Sequence, residues 1–183
     1  MRGLAGIEGL DVYIFVKEAP EEKVESLKRL QAVRAIAVLS GPYAALGVAT
    51  LSGYENLEEF LGQLRALGDP DTAVLLQTSA RHIVHSPRPP VLAFIQLWVQ
   101  PAMVQQAFEA SQRLGPEHLG SSIVAGGFDI LVEVGGSTFD EVKGGLLGNG
   151  GLQGIPGLLR SATSFGFITY YPSEKRDSPD DDD

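Results

Sequence analysis

The residue types that could do chemistry in this chain are few, and the most suggestive is a carboxylate set in a turn. Asp129 follows Gly126, Gly127 and Phe128 within residues 124–134, where Phe128, Ile130, Val132 and Val134 alternate with Asp129, Leu131 and Glu133 at the two-residue period of a half-buried strand. Gly126 and Gly127 offer the positive φ values that short hairpin turns use. A carboxylate beside such a turn could accept a hydrogen bond from the amino group of a small ligand, although turn aspartates also commonly bond their own backbone. The same phrase occurs earlier, at residues 38–49, with Gly41, Pro42 and Tyr43 in the turn and Ala44 where the acid would stand.

Other constellations are weaker. Of the three histidines, His82 and His85 are three residues apart where the pattern is strand end and linker, so they would share a face only on a helix, and no third ligand lies near. His118 stands alone. The glycines between 144 and 154 lack the Gly-Lys-Ser/Thr of a phosphate loop, and Gly148, Gly150 and Gly154 miss the dinucleotide spacing by one residue. Asp129, Glu133 and Asp140 are close in sequence, yet each has a sufficient structural explanation, so no catalytic set is assigned. Trp98 and Phe128 read as core. The absence of cysteine excludes disulfides, thiolate metal sites and thiol nucleophiles. No cofactor and no metal are called for.

The elements that would position these residues repeat. A β-branched and aromatic run at 11–16 precedes a helix over 21–30, with acids leading and bases trailing as the helix dipole favours. A hairpin over 35–50 follows, then a helix whose Leu57, Phe60, Leu61, Leu64 and Leu67 form one stripe, with Asn56 and Glu59 resembling a capping pair. A strand over 72–80 closes the set. After a stretch containing Pro87, Pro89 and Pro90, the pattern resumes with a strand over 93–99, a helix over 102–114, the second hairpin, a helix opened by the Thr138–Glu141 capping box, and a strand over 161–171. Strand-helix junctions repeat at an offset of 81 and hairpins at 85.

The expected fold is therefore α+β. It is a ferredoxin-like βαββαβ sandwich duplicated in tandem, at 10–82 and 91–171, the exposed sheet faces covering each other as in an intramolecular dimeric α/β-barrel. Residues 83–90 read as linker. Residues 172–183 hold six acids against Lys175 and Arg176 and no apolar residue, and read as a disordered tail. The formal net charge of −9 disfavours an unaided grip on nucleic acid. No uncharged run reads as a membrane span, and the N-terminal sequence does not read as a signal peptide, so a cytoplasmic protein is expected.

Each repeat resembles the effector-binding (RAM) domain of the Lrp/AsnC family of feast-or-famine regulators, whose middle hairpin reads small residue, Gly, any, aromatic, Asp, apolar. Here that is 125–130, Ala-Gly-Gly-Phe-Asp-Ile, with 40–45, Ser-Gly-Pro-Tyr-Ala-Ala, as the weaker copy. The resemblance implies a stand-alone, non-enzymatic protein in transcription regulation that binds an amino acid or similar effector and acts through a protein partner. It implies a homo-oligomer in which Gly126, Gly127, Phe128 and Asp129, assisted by Gly41, Pro42 and Tyr43, line an intersubunit crevice. No helix-turn-helix pattern precedes the first repeat, so DNA binding by this chain alone is not expected. The alternative readings are a dimeric α/β-barrel enzyme, a monooxygenase or isomerase with His118 as a conceivable haem ligand, and a purely structural assembly module.

Overall fold

The computed structural model describes residues 9–18, 21–68, 70–79 and 89–170, the last three of these in backbone only. Eight strands and four helices follow in the order β1 (Leu10–Val16), α1 (Glu21–Arg29), β2 (Val33–Ser40), β3 (Ala45–Leu51), α2 (Leu57–Arg65), β4 (Asp71–Thr78), β5 (Val91–Val99), α3 (Val104–Ser111), β6 (Glu117–Gly126), β7 (Ile130–Gly136), α4 (Phe139–Leu147) and β8 (Leu158–Tyr170). The strands pair antiparallel throughout and close into one barrel, in the order β1-β3-β2-β8-β5-β7-β6-β4. Each half thus presents the order of a βαββαβ unit, and the two halves meet edge to edge along β2–β8 and β4–β6. The sequence led us to expect two sheets facing one another. Joining at both edges satisfies the free edge groups as well as the bare faces, and so leaves no open strand.

Alternation along the strands divides the core into three. Inward residues, among them Tyr13, Phe15, Leu46, Val48, Leu92, Phe94, Phe128 and Leu131, fill the barrel. Outward residues of the first four strands pack beneath α1 and α2 through Leu27, Phe60 and Leu64, and those of the last four beneath α3 and α4 through Ala107, Phe108, Val142 and Leu146. The helices themselves follow from end signals and stripes. α1 carries Glu21 and Glu22 in its first turn and Lys28 and Arg29 in its last. α4 is capped as its sequence suggests, since Thr138 Oγ1 accepts from the Glu141 amide at 3.2 Å, while the Glu141 carboxylate takes the Ser137 amide at 2.8 Å.

Three local expectations are corrected. Asn56 does not cap α2, because a 3-10 turn over Tyr54–Asn56 already holds it in helical conformation, and its side chain donates to Ser52 Oγ instead. α3 is shorter than the expected 102–114, because Pro101–Met103 winds as a 3-10 turn ahead of it and the chain turns at 112–113. Neither Gly126 nor Gly127 has a positive φ, whereas Gly41 does, at 138°. Gly126 is needed for space: a Cβ there would stand 2.4 Å from the Thr72 carbonyl oxygen, across the β4–β6 seam. The linker histidines His82 and His85 and the acidic tail 172–183 lie outside the described residues. No described helix is long and apolar enough to cross a membrane.

Candidate functional site

Because β1 and β5 run in the same sense around the barrel, the turn after β2 and the turn after β6 come to the same end of it. Their backbone bonds correspond. The Ala44 amide donates to the Val16 carbonyl at 2.8 Å and its carbonyl accepts from Leu39, just as the Asp129 amide donates to Leu97 at 2.9 Å and its carbonyl accepts from Val124. The two hairpin phrases therefore do the same backbone work at the ends of β1 and β5. Tyr43 and Phe128 occupy matching places, and both turn into the barrel mouth.

There they join a continuous aromatic belt. Tyr43 lies against Phe15 with ring centroids 5.1 Å apart, Phe15 meets Phe128 edge-on at 5.7 Å, and Phe128 meets Trp98 at 6.0 Å. The Arg160 guanidinium stacks over Trp98 at 4.5 Å, and the indole N–H donates to the Gly127 carbonyl at 2.7 Å, which fixes the ring. Tyr43 is the only residue of the belt that carries a hydroxyl. That hydroxyl donates to Asp71 Oδ2 at 2.7 Å, and Lys17 Nζ approaches the same oxygen to 3.2 Å. Burial first, and then the Asp71 carboxylate, push the Tyr43 pKa up, against smaller opposing effects of Gln96 and Arg160. Tyr43 is held protonated as the donor of this hydrogen bond, and the Asp71 carboxylate, its side chain 40% exposed, accepts it. A cleft of about 230 Å³, lined by Phe15, Lys17, Lys23, Leu67, Pro70 and Asp71 among others, leads from solvent to Asp71.

Gln96 lies beneath the belt. It pairs in register with Ala162 of β8, between the Phe94–Ser164 and Trp98–Arg160 pairs, so it points inward with Phe94 and Trp98. It is 2% exposed, and neither Nε2 nor Oε1 has a hydrogen-bond partner. Its amide is near enough to favour the ionised form of Tyr43, yet without hydrogen-bond geometry. The position corresponding to Gln96 in the first half is Phe15, paired with Asp71 where Gln96 pairs with Ala162. The polar atoms of the mouth thus come from both halves.

The structure brings all seven residues singled out from sequence to this end of the barrel, but gives them different work. Tyr43 and Phe128 belong to the belt. Gly41 holds the positive φ, Gly41 and Pro42 are exposed, and Gly126 and Gly127 are exposed at the second turn. Asp129 Oδ2 accepts the Val99 amide at 2.8 Å, so the carboxylate closes the end of β5. Asp71, Gln96 and Arg160 were not foreseen, and Trp98 was read as core only. The signal for Gln96 was present: it is the one polar residue in the otherwise apolar run of β5. Asp71 and Arg160 gave none, since only the barrel register places them beside Tyr43 and Trp98. On the helix side of the sheet, His118 Nε2 meets Ser121 Oγ at 2.8 Å, and Ser121 Oγ meets Ser111 Oγ of α3 at 2.8 Å. The ring nitrogen considered for haem is thereby engaged in a chain that ties α3 to β6. Among the described residues no group of three or more acidic or imidazole side chains is arranged to hold a metal ion.

No protein-family model matches the chain, and no curated protein matches it in sequence. Solved structures do. An anthrone oxidase-like protein superposes with a TM-score of 0.59 at 12% identity, over 92% of this chain and 95% of that one. A candidate monooxygenase from Fusobacterium nucleatum subsp. nucleatum gives 0.52 at 9% identity, over 88% and 92%. A major regulator of staphylococcal pathogenesis gives 0.50 at 6% identity, over 87% and 98%. At such identities the likeness shows the fold alone. That fold is a ferredoxin-like α/β-barrel, and the resemblance to Lrp/AsnC effector domains is left resting on the hairpin phrase.

Proposed function

We propose that this chain is a small-molecule enzyme of the α/β-barrel type, acting on an aromatic carbonyl compound at the hairpin end of the barrel. The observation that carries the reading is the Tyr43–Asp71 hydrogen bond set into an aromatic belt. A substrate carbonyl that replaces Asp71 as the acceptor of the Tyr43 hydrogen bond would be polarised, and the released carboxylate would take a proton from the carbon which that carbonyl acidifies, either adjacent to it or, as at the methylene of anthrone, conjugated to it through the aromatic rings. The resulting enolate is electron-rich. Addition of dioxygen at its carbanionic carbon gives a hydroperoxide whose loss of water leaves a new carbonyl, so one oxygen atom enters the substrate, the other leaves as water, the substrate supplies both electrons and the protein is a monooxygenase; reprotonation elsewhere makes it an isomerase. Monooxygenase-like names among structures of the same fold support the first, which we adopt; the stand-alone effector-binding reading becomes secondary.

The test is an oxygen-electrode assay with anthrone as trial substrate. Uptake is expected above the buffer rate, and Tyr43→Phe is expected to reduce kcat about 10²-fold while leaving the circular dichroism spectrum unchanged, within the usual range for one acid–base group. Uptake no faster than in buffer, across anthrone and related aryl ketones, would defeat the oxygenase reading.

A further inference from the structure

A buried primary amide with both polar atoms unmet is costly, because the donor and the acceptor have each lost water without replacement. Gln96 is such a residue. It lies below Tyr43, and its register partner Ala162, which also points inward, is partly exposed. We propose that Gln96 is the specificity-determining residue of the mouth and that the ligand is a planar aromatic molecule carrying a lactam edge. A lactam sets one N–H donor beside one carbonyl acceptor, the complement of Oε1 and Nε2, and the pair closes two hydrogen bonds in one plane. The aromatic belt of Trp98, Phe128, Phe15 and Tyr43 supplies the apolar contact for the rest of the ring system. A carboxylate ligand has no donor to offer Oε1, and its charge would draw it toward Arg160 instead.

This inference rests on the mouth being the substrate site, and its test reads binding without turnover. Trp98 is the single tryptophan, so the ¹⁵N-labelled protein has one indole N–H resonance, and that group sits at the mouth, bonded to Gly127. The protein is titrated with 2-quinolinone, with 1-methyl-2-quinolinone, which lacks the donor, and with 2-naphthoate. The expected result is a saturable shift of the indole peak with 2-quinolinone at least tenfold tighter than with its N-methyl analogue, and abolition of that difference in Gln96→Leu. Gln96→Leu is also expected to melt at least as high as the parent, because it removes an unsatisfied amide. Equal binding of the two quinolinones, or tighter binding of 2-naphthoate, overturns the lactam proposal while the mouth remains a binding site. A peak that none of the three moves overturns the proposal and the site together, and a lower melting temperature for Gln96→Leu shows that the amide has structural partners and overturns it as well.

Discussion

At the scale of single residues, two titrations separate structural from chemical roles. Burial lowers the His118 pKa. The unfolded chain therefore takes up a proton at this residue below pH ~6.5 while the folded chain does not, so this contribution to stability is fully present above that pH and is lost as the pH falls toward the folded-state value. His118→Gln should flatten the decline of melting temperature on acidification, as followed by circular dichroism between neutral pH and about pH 5. Tyr43 works in the other direction. Its pKa is raised, so its contribution is constant below pH ~10 and lost as the pH climbs through the folded value, and Tyr43→Phe should remove that alkaline loss. The sequence marks both residues but not these roles. His118 reads as isolated because Ser121 and Ser111 become its network only when α3 lies across β6, and Tyr43 reads as a weaker copy of Phe128 because its partner Asp71 is 28 residues away.

Elements were more legible than sites. Periodicity located all the strands and the four helices within a few residues, because amphipathic stripes and capping signals are local. The failures were also local conflicts: at Asn56 a 3-10 turn pre-empted the cap, and at the second hairpin the glycine requirement proved to be space, not conformation. That distinction is measurable. Gly126→Ala should destabilise by about 1–3 kcal/mol, since a Cβ at 2.4 Å from the Thr72 oxygen forces β4 and β6 apart, whereas Gly127→Ala, with open space around it, should cost well under 1 kcal/mol in urea unfolding. Thr138→Ala should cost about 1 kcal/mol through loss of the α4 cap.

At the scale of the whole molecule, the sequence led to an expectation of two βαββαβ units but not of how they would join. Edge pairing across β2–β8 and β4–β6 depends on strands more than 40 residues apart, and no local signal encodes it. The joining matters for function, since it alone places Asp71 and Tyr43 of one half against Gln96, Trp98 and Arg160 of the other. We expect residues 9–79 expressed alone to bury their bare sheet edges by pairing as a dimer, measurable by light scattering. The central claim is that the chemistry of this mouth belongs to Asp71 and not to the turn carboxylate Asp129. Steady-state kinetics of Asp71→Asn and Asp129→Asn, measured side by side on the best aryl ketone substrate, test it most directly. The account predicts that Asp71→Asn loses kcat by about 10²-fold or more with its fold retained, while Asp129→Asn keeps kcat and loses stability at the end of β5. Full activity in Asp71→Asn together with a collapse of kcat in a folded Asp129→Asn would contradict it.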